Sequence, residues 1–173
     1  GSINSVTRYE SNHFEIFFKH LHEIHLCHGA CMFNKDIFIK KKLFFDENYK
    51  HAEDYELWSR IQLQFKLYNI KEILYKVRKH DNNVSKKYRT TQLSNIELIK
   101  KKVFSSLGIN PESKQIEIYT KFAYSDFNLN TNEINTLIPL LNELTSSNQK
   151  QIPKKIITKK VNYLWYHFII NST

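Results

Sequence analysis

Glycine is nearly missing from this 173-residue chain, which holds only Gly1, Gly29 and Gly108. A phosphate-cradling loop needs several closely spaced glycines, so that class of site is excluded from this stretch. Cysteine is as scarce, with Cys27 and Cys31 alone. Two thiols do not make a disulfide framework, and this usage points to a reducing compartment. No apolar run approaches the roughly 20 residues that cross a bilayer. The nearest candidate, VNYLWYHFIINST, is short and interrupted by His167. Methionine occurs once, at Met32, and the chain opens on Gly-Ser. We read residues 1–2 as a tag scar and the rest as a piece of a longer protein.

What is present is a core-forming composition and an excess of positive charge. Hydrophobic residues make up 41% of the chain and aromatics 14%, which excludes the disordered class. The formal net charge is +9, with lysines in clusters at 40–42, 86–87, 100–102, 154–155 and 159–160. Such a surface favours anionic partners: nucleic acid, acidic lipid headgroups or a pyrophosphate. The competing explanation is an AT-rich genome that writes Lys, Ile and Asn often.

Periodicity divides the chain near residue 84. Before it, helical spacing predicts helices over 11–26, 35–42 and 54–66. ACMF reads as a short buried strand, and NIKEILYKVRKH alternates as a strand with Ile73, Tyr75 and Val77 on one face. After it, helices are predicted at 85–107, 112–124, 131–148 and 153–170. Gly108 followed by Pro111 suits a helix end, and Pro139 should kink or shorten the third of these helices. The fold class expected is α+β, mostly helical.

The segment HAEDYELWSR carries the strongest chemical signal. Asp54 stands three, four and seven residues before Leu57, Trp58 and Ile61, so helical spacing places it on the apolar face. Glu56 and Arg60 form an i,i+4 pair on another face, read as a solvated ion pair. An ordinary N-cap is the simpler account of Asp54, worth about 1 kcal/mol. Leu57 occupies the position where a capping box places Glu or Gln, so nothing reinforces that cap. A carboxylate fixed at a helix start is also what a general base in a cleft requires.

Motif order decides between these. Met32–Phe33, then Glu53–Asp54 with Tyr55, Leu57, Trp58 and Arg60, then Tyr75, Arg78, His80, Asn83 and Ser85 together resemble the second half of the catalytic domain of family 2 glycosyltransferases, which have the GT-A fold. Val77 stands where that family usually has a Tyr directly before the Arg. The resemblance implies that residues 3–84 are the acceptor-side half of a GT-A αβ domain, with few short strands, and that 85–173 are a helical C-terminal extension. It implies an inverting transfer from a nucleotide-diphosphate sugar to an acceptor hydroxyl of a glycan or glycolipid. Asp54 would be the base and Glu53 its support. Arg78, His80 and His28 would lie toward diphosphate and acceptor, with His80 at a divalent metal (Mn or Mg) in the full enzyme. No Asp-x-Asp occurs in the chain. The family's donor-binding half, which carries that motif, would lie upstream, and this piece alone is expected to be inactive. The Gln-x-x-Arg-Trp signature of processive synthases is absent as well, which favours transfer of single sugars.

Three other constellations compete. HLHEIHLCHGAC gathers His20, His22, His25, His28, Cys27 and Cys31, but in no standard zinc spacing, so buried thiols and ordinary helix-surface histidines rank ahead of structural zinc. Lysines mixed with Tyr88, Tyr119, Tyr124 and Tyr163 suggest a nucleic-acid surface without any recognised reader motif, so nucleic acid ranks low as a partner. Lys154, Lys155, Lys159 and Lys160 with Trp165, Tyr166 and Phe168 suggest a tail lying on an anionic membrane or a partner protein, although simple packing on the rest ranks higher. The expected location is cytoplasmic with peripheral membrane contact.

Overall fold

A computed structural model describes residues 5–77, 88–124, 128–147 and 149–171. These contain seven α-helices: α1 His13–Lys19, α2 Lys35–Lys40, α3 Glu53–Ile61, α4 Arg89–Ser106, α5 Ser113–Ala123, α6 Thr131–Ser146 and α7 Lys154–Asn171. Two 3₁₀ turns, His28–Ala30 and Glu47–Tyr49, lie among the first three helices.

The four C-terminal helices are built by their punctuation and apolar spacing. Helix α4 buries Ile99, Val103 and Phe104, and Leu107 just past its end is buried too. It ends in a Schellman motif: the Ile109 N–H bonds the Phe104 carbonyl at 3.1 Å and the Gly108 N–H bonds that of Ser105 at 2.9 Å. Gly108 makes this possible with φ +78, and both Phe104 and Ile109 are buried. Helix α5 starts at Glu112, whose N–H is accepted by the Gln115 side chain at 3.0 Å. Helix α6 starts at Asn130 with a full capping box to Glu133 and buries Leu137, Leu140, Leu141 and Leu144. It continues through Pro139, which is exposed, to Ser146. Helix α7 buries Ile157, Val161 and Phe168 at spacings of four and seven.

Successive helices α4 to α7 pack on one another, and α7 also meets α5 and α1. One apolar cluster runs through all of them and on into Phe17, Phe18 and Leu21 beside α1, and Tyr49, Ala52 and Tyr55 at α3. A smaller cluster joins Ile16, Leu26 and Leu43 to Leu57, Trp58 and Ile61 on the other side of α3. Helix α3 is thus gripped between two cores.

The expected α+β architecture is not what the chain forms. No strand occurs among the described residues. The segment ACMF is surface chain, with Met32 98% and Phe33 50% exposed, and residues 70–77 are exposed throughout. Alternation of apolar and polar residues suits an extended backbone, but a strand exists only where a neighbouring ladder satisfies its N–H and C=O groups, and no described segment supplies one. The N-terminal helix is also shorter than its apolar spacing suggested. It ends at Lys19, and the chain turns through His20 to Glu23 with His22 and Glu23 N–H groups on the Lys19 carbonyl.

Gly108→Ala should lower stability by about 1–2 kcal/mol. A Cβ there meets no atom within 4 Å, so the cost is that of the left-handed backbone alone. Urea unfolding should show an earlier midpoint at unchanged slope.

Candidate functional site

Helix α3 positions the carboxylate pair. Its N-cap is Ala52, which offers no capping side chain, so Asp54 is the second helical residue and not the cap. The Tyr55 N–H donates to Asp54 Oδ1 at 2.8 Å. Glu53, Asp54 and Glu56 fill the first turn, where the helix dipole favours negative charge. Asp54 is half-buried and Glu53 exposed. Below them Leu57, Trp58 and Ile61 are buried. Glu56 departs from expectation. It does pair with Arg60, through two 2.9 Å contacts, but it is buried rather than solvated, and Arg60 also donates to the Phe44 carbonyl at 2.8 Å. The pair therefore ties α3 to the 43–46 loop.

The His28–Ala30 turn lies against this helix. The His28 ring is exposed, 5.5 Å from Phe45 and 6.0 Å from Trp58. Cys31, at the end of the turn, has its thiol pushed up to about 11 by burial, with the charges of Cys27 and Asp54 adding to the effect. It is no nucleophile at neutral pH, and the Asp54 contribution places that carboxylate within electrostatic reach of the turn. Both cysteines are free. The Tyr75 hydroxyl fills the space where a side chain on Gly29 would stand, 2.8 Å from the Cβ position. This seats the 73–77 segment beside His28. Arg78 and His80 come next in the chain and lie outside the described residues, as do Asn83 and Ser85.

Behind α3 sit His20, His22 and His25, expected on a helix surface but buried, because the helix ends at Lys19 and the chain turns inward there. His20 Nδ1 is 2.6 Å from Gln62 Oε1, and the Tyr55 hydroxyl donates to the His20 carbonyl at 2.5 Å. His22 lies edge-on to Tyr119 and Tyr124, and neither of its ring nitrogens has a hydrogen-bond partner among the described residues. Burial pushes His20 down to about 4 and His22 down to about 3. Both rings are neutral under ordinary conditions. Among the described residues no three His, Cys, Asp or Glu side chains converge to hold a metal ion, so no metal-dependent step is derived from them.

The other expected surfaces separate into parts. Tyr119 is fully buried in the core and Tyr88 stacks on His51, so the four tyrosines do not form one nucleic-acid face. Lys100 is buried, its amine pushed down to about 8 by desolvation, and donates to Thr120. Lys160 pairs with Glu10 at 2.6 Å and Glu15 at 3.5 Å, and Lys121 with Glu133 and Glu117. Of the tail's aromatic set, Phe168 is buried and Trp165 packs against Phe122.

Among curated proteins, the chain is similar to an uncharacterized glycosyltransferase of Haemophilus influenzae (strain ATCC 51907 / DSM 11121 / KW20 / Rd), at 26% identity over 132 residues. The match covers 76% of this chain and 39% of that protein. No family model and no solved structure matches. The likeness supports a glycosyltransferase relationship.

Acid should destabilise the fold through His20 and His22. Their unfolded value is 6.5 and their folded values lie below it, so the unfolded chain takes up protons that the folded one refuses. Their contribution is complete above that value and lost as pH falls toward about 4 for His20 and about 3 for His22. The limiting slope is about 1.4 kcal/mol per pH unit for each ring. The urea midpoint should fall steeply between about pH 6.5 and about pH 4, and His22→Phe should remove roughly half of the difference.

Proposed function

We propose that this chain is the acceptor-side part of an inverting glycosyltransferase of family 2 type, moving one sugar from a nucleotide-diphosphate donor to a hydroxyl of a glycan or glycolipid. The similarity to a protein named as a glycosyltransferase carries the reading. In the reaction, Asp54 takes the proton of the acceptor hydroxyl, the acceptor oxygen bonds to the anomeric carbon, and the bond from that carbon to the diphosphate breaks. The half-buried position of Asp54 at the start of a helix gripped from both sides supports its role as base: the scaffold fixes its direction while one side remains open. Glu53 stands beside it on the open side. His28, Phe45 and exposed Phe44 offer the aromatic faces on which a sugar ring packs. Arg78 and His80 are assigned to the diphosphate, and a divalent metal to the full enzyme.

Residues 3–84 act in this reading as part of the catalytic domain and 85–173 as its helical extension. The donor-binding half belongs to a larger protein, of which the curated relative is an example in length. Met32, Phe33, Ile37, Ile39 and Phe44 are all exposed on one stretch, as are Ile70, Ile73, Leu74 and Val77 on another. Apolar residues this numerous on a surface suit burial by further protein. The donor-binding half is the occupant we assign.

A second contact is favoured by α7. Lys155, Lys159, Tyr163, Tyr166 and Ile170 recur at three- and four-residue spacing, are all exposed, and lie opposite the buried Ile157, Val161 and Phe168. The stripe is basic at one end and aromatic and aliphatic at the other, which suits the face of an anionic membrane. No helix is long and apolar enough to cross one, among the described residues.

Asp54→Asn in the full-length enzyme should lower transfer by about 10²–10⁴-fold while nucleotide-sugar binding by calorimetry is retained; undiminished transfer removes Asp54 from the role. The 173-residue chain alone should transfer no sugar. In flotation with vesicles containing phosphatidylserine, the chain should rise with the lipid and Lys155→Glu/Lys159→Glu should not. Binding to neutral vesicles alone, or a salt-sensitive shift of RNA without flotation, contradicts the membrane contact.

A further inference from the structure

We propose that the helical extension sets the aim of Asp54 through two side chains of α4, Gln92 and Asn95, which hold the backbone immediately ahead of α3. The inference rests on the reading of Asp54 as the base and adds two positioning residues to it.

His51 has a φ of +66, in the left-handed region that crowds any residue with a Cβ. A non-glycine residue keeps that conformation only where its surroundings over-determine it. Three contacts do so here, all from the start of α4. Gln92 Nε2 donates to the His51 carbonyl at 2.8 Å. Asn95 Nδ2 donates to the Lys50 carbonyl at 2.9 Å. The Tyr88 ring lies flat on the His51 imidazole, with centroids 4.1 Å apart and planes 6° from parallel.

The grip matters because of the residue after His51. Ala52 is the N-cap of α3 and offers no side chain to fix the helix's entry; its own N–H bonds the Tyr49 carbonyl at 2.9 Å. The direction of the first turn is therefore set from two sides, by the backbone of residues 49–51 ahead of it and by the buried Tyr55, whose hydroxyl donates to the His20 carbonyl, and Asp54 lies between them. A rotation at His51 would swing the carboxylate, while the buried Leu57, Trp58 and Ile61 keep the far end of α3 seated. Gln92 and Asn95 bond backbone carbonyls 41 and 45 residues earlier in the chain, so the extension reaches the site without touching a substrate.

The test uses the full-length enzyme with Gln92→Leu/Asn95→Leu. We expect kcat to fall by about 10²-fold, the cost of misplacing a reacting group by about 1 Å, with KM for the nucleotide sugar unchanged. Gln92→Lys keeps an N–H donor at that position, and it should retain most of the rate that Gln92→Leu loses. In the 173-residue chain, the NMR shift of the Tyr55 amide, which bonds Asp54, should move in the double variant and stay near its original value in Gln92→Lys. Unchanged kcat in the double variant, or a loss of kcat matched by a loss of thermal stability with Gln92→Lys no better than Gln92→Leu, overturns the positioning role. Transfer that survives Asp54→Asn overturns the base assignment instead, so the two failures are told apart.

Discussion

The grip of two apolar clusters on α3 is the constraint on which the rest depends. Tyr55 faces the large cluster shared with α4 to α7, whereas Leu57, Trp58 and Ile61 face the small one. Burying side chains of this size contributes about 1.5–3 kcal/mol each, so a nine-residue helix too short to persist alone becomes a fixed post. Its acidic first turn is then held at the edge of the protein by forces that act elsewhere. The buried Glu56, with both oxygens on Arg60, adds a tie to the 43–46 loop and leaves the exposed Glu53 and the half-buried Asp54 as the other carboxylates of that turn.

The polar interior behind that post obeys a different logic. His20 and His22 are buried where an aliphatic residue would serve packing as well, and burial keeps both neutral. Glu23 has the opposite fate. Burial works to raise its carboxyl, but the His25 ring 3.7 Å away and the Lys19 amine 3.8 Å away outweigh that and hold it at about 2. Neutral rings and an ionised carboxylate thus share one small volume beneath α3. Two lysines reach that volume: Lys19 stands 3.8 Å from Glu23, and the buried Lys100 lies within electrostatic reach of Glu23 and His22.

The four C-terminal helices were legible because their ends carry chemical punctuation that needs no tertiary context: Gly108 before Pro111, and starts marked by Thr131 to Glu133 and by Pro153, although the Asn130 cap itself was not singled out. Asp54 could be singled out because helical spacing ties it to Leu57, Trp58 and Ile61. The strands failed for a physical reason. Alternation reports an extended chain with two unlike faces, and a ladder also requires a neighbour that no local pattern announces. Gln92 and Asn95 were illegible for a related reason. A side-chain amide on a distant backbone carbonyl leaves no periodic trace, and on a helix surface these residues look like ordinary polar positions. The departure of Val77 from the expected Tyr was visible in the sequence, but the seating of Tyr75 against Gly29 was not, because it depends on a close approach across 46 residues.

Most pairings in this fold join neighbours: α4 to α5, α5 to α6, α6 to α7. Helix α7 departs from this in meeting α5 and α1, and its seam with α1, marked by Glu10 and Lys160, joins residues 150 apart. The entropy of closing so long a loop rises only slowly with length, but a contact of such high sequence separation is a poor place to begin assembly. Contacts between consecutive helices close short loops and cost less entropy than the meeting of the two ends. The packing of α7 on α1 joins the first helix of the chain to the last in one apolar cluster.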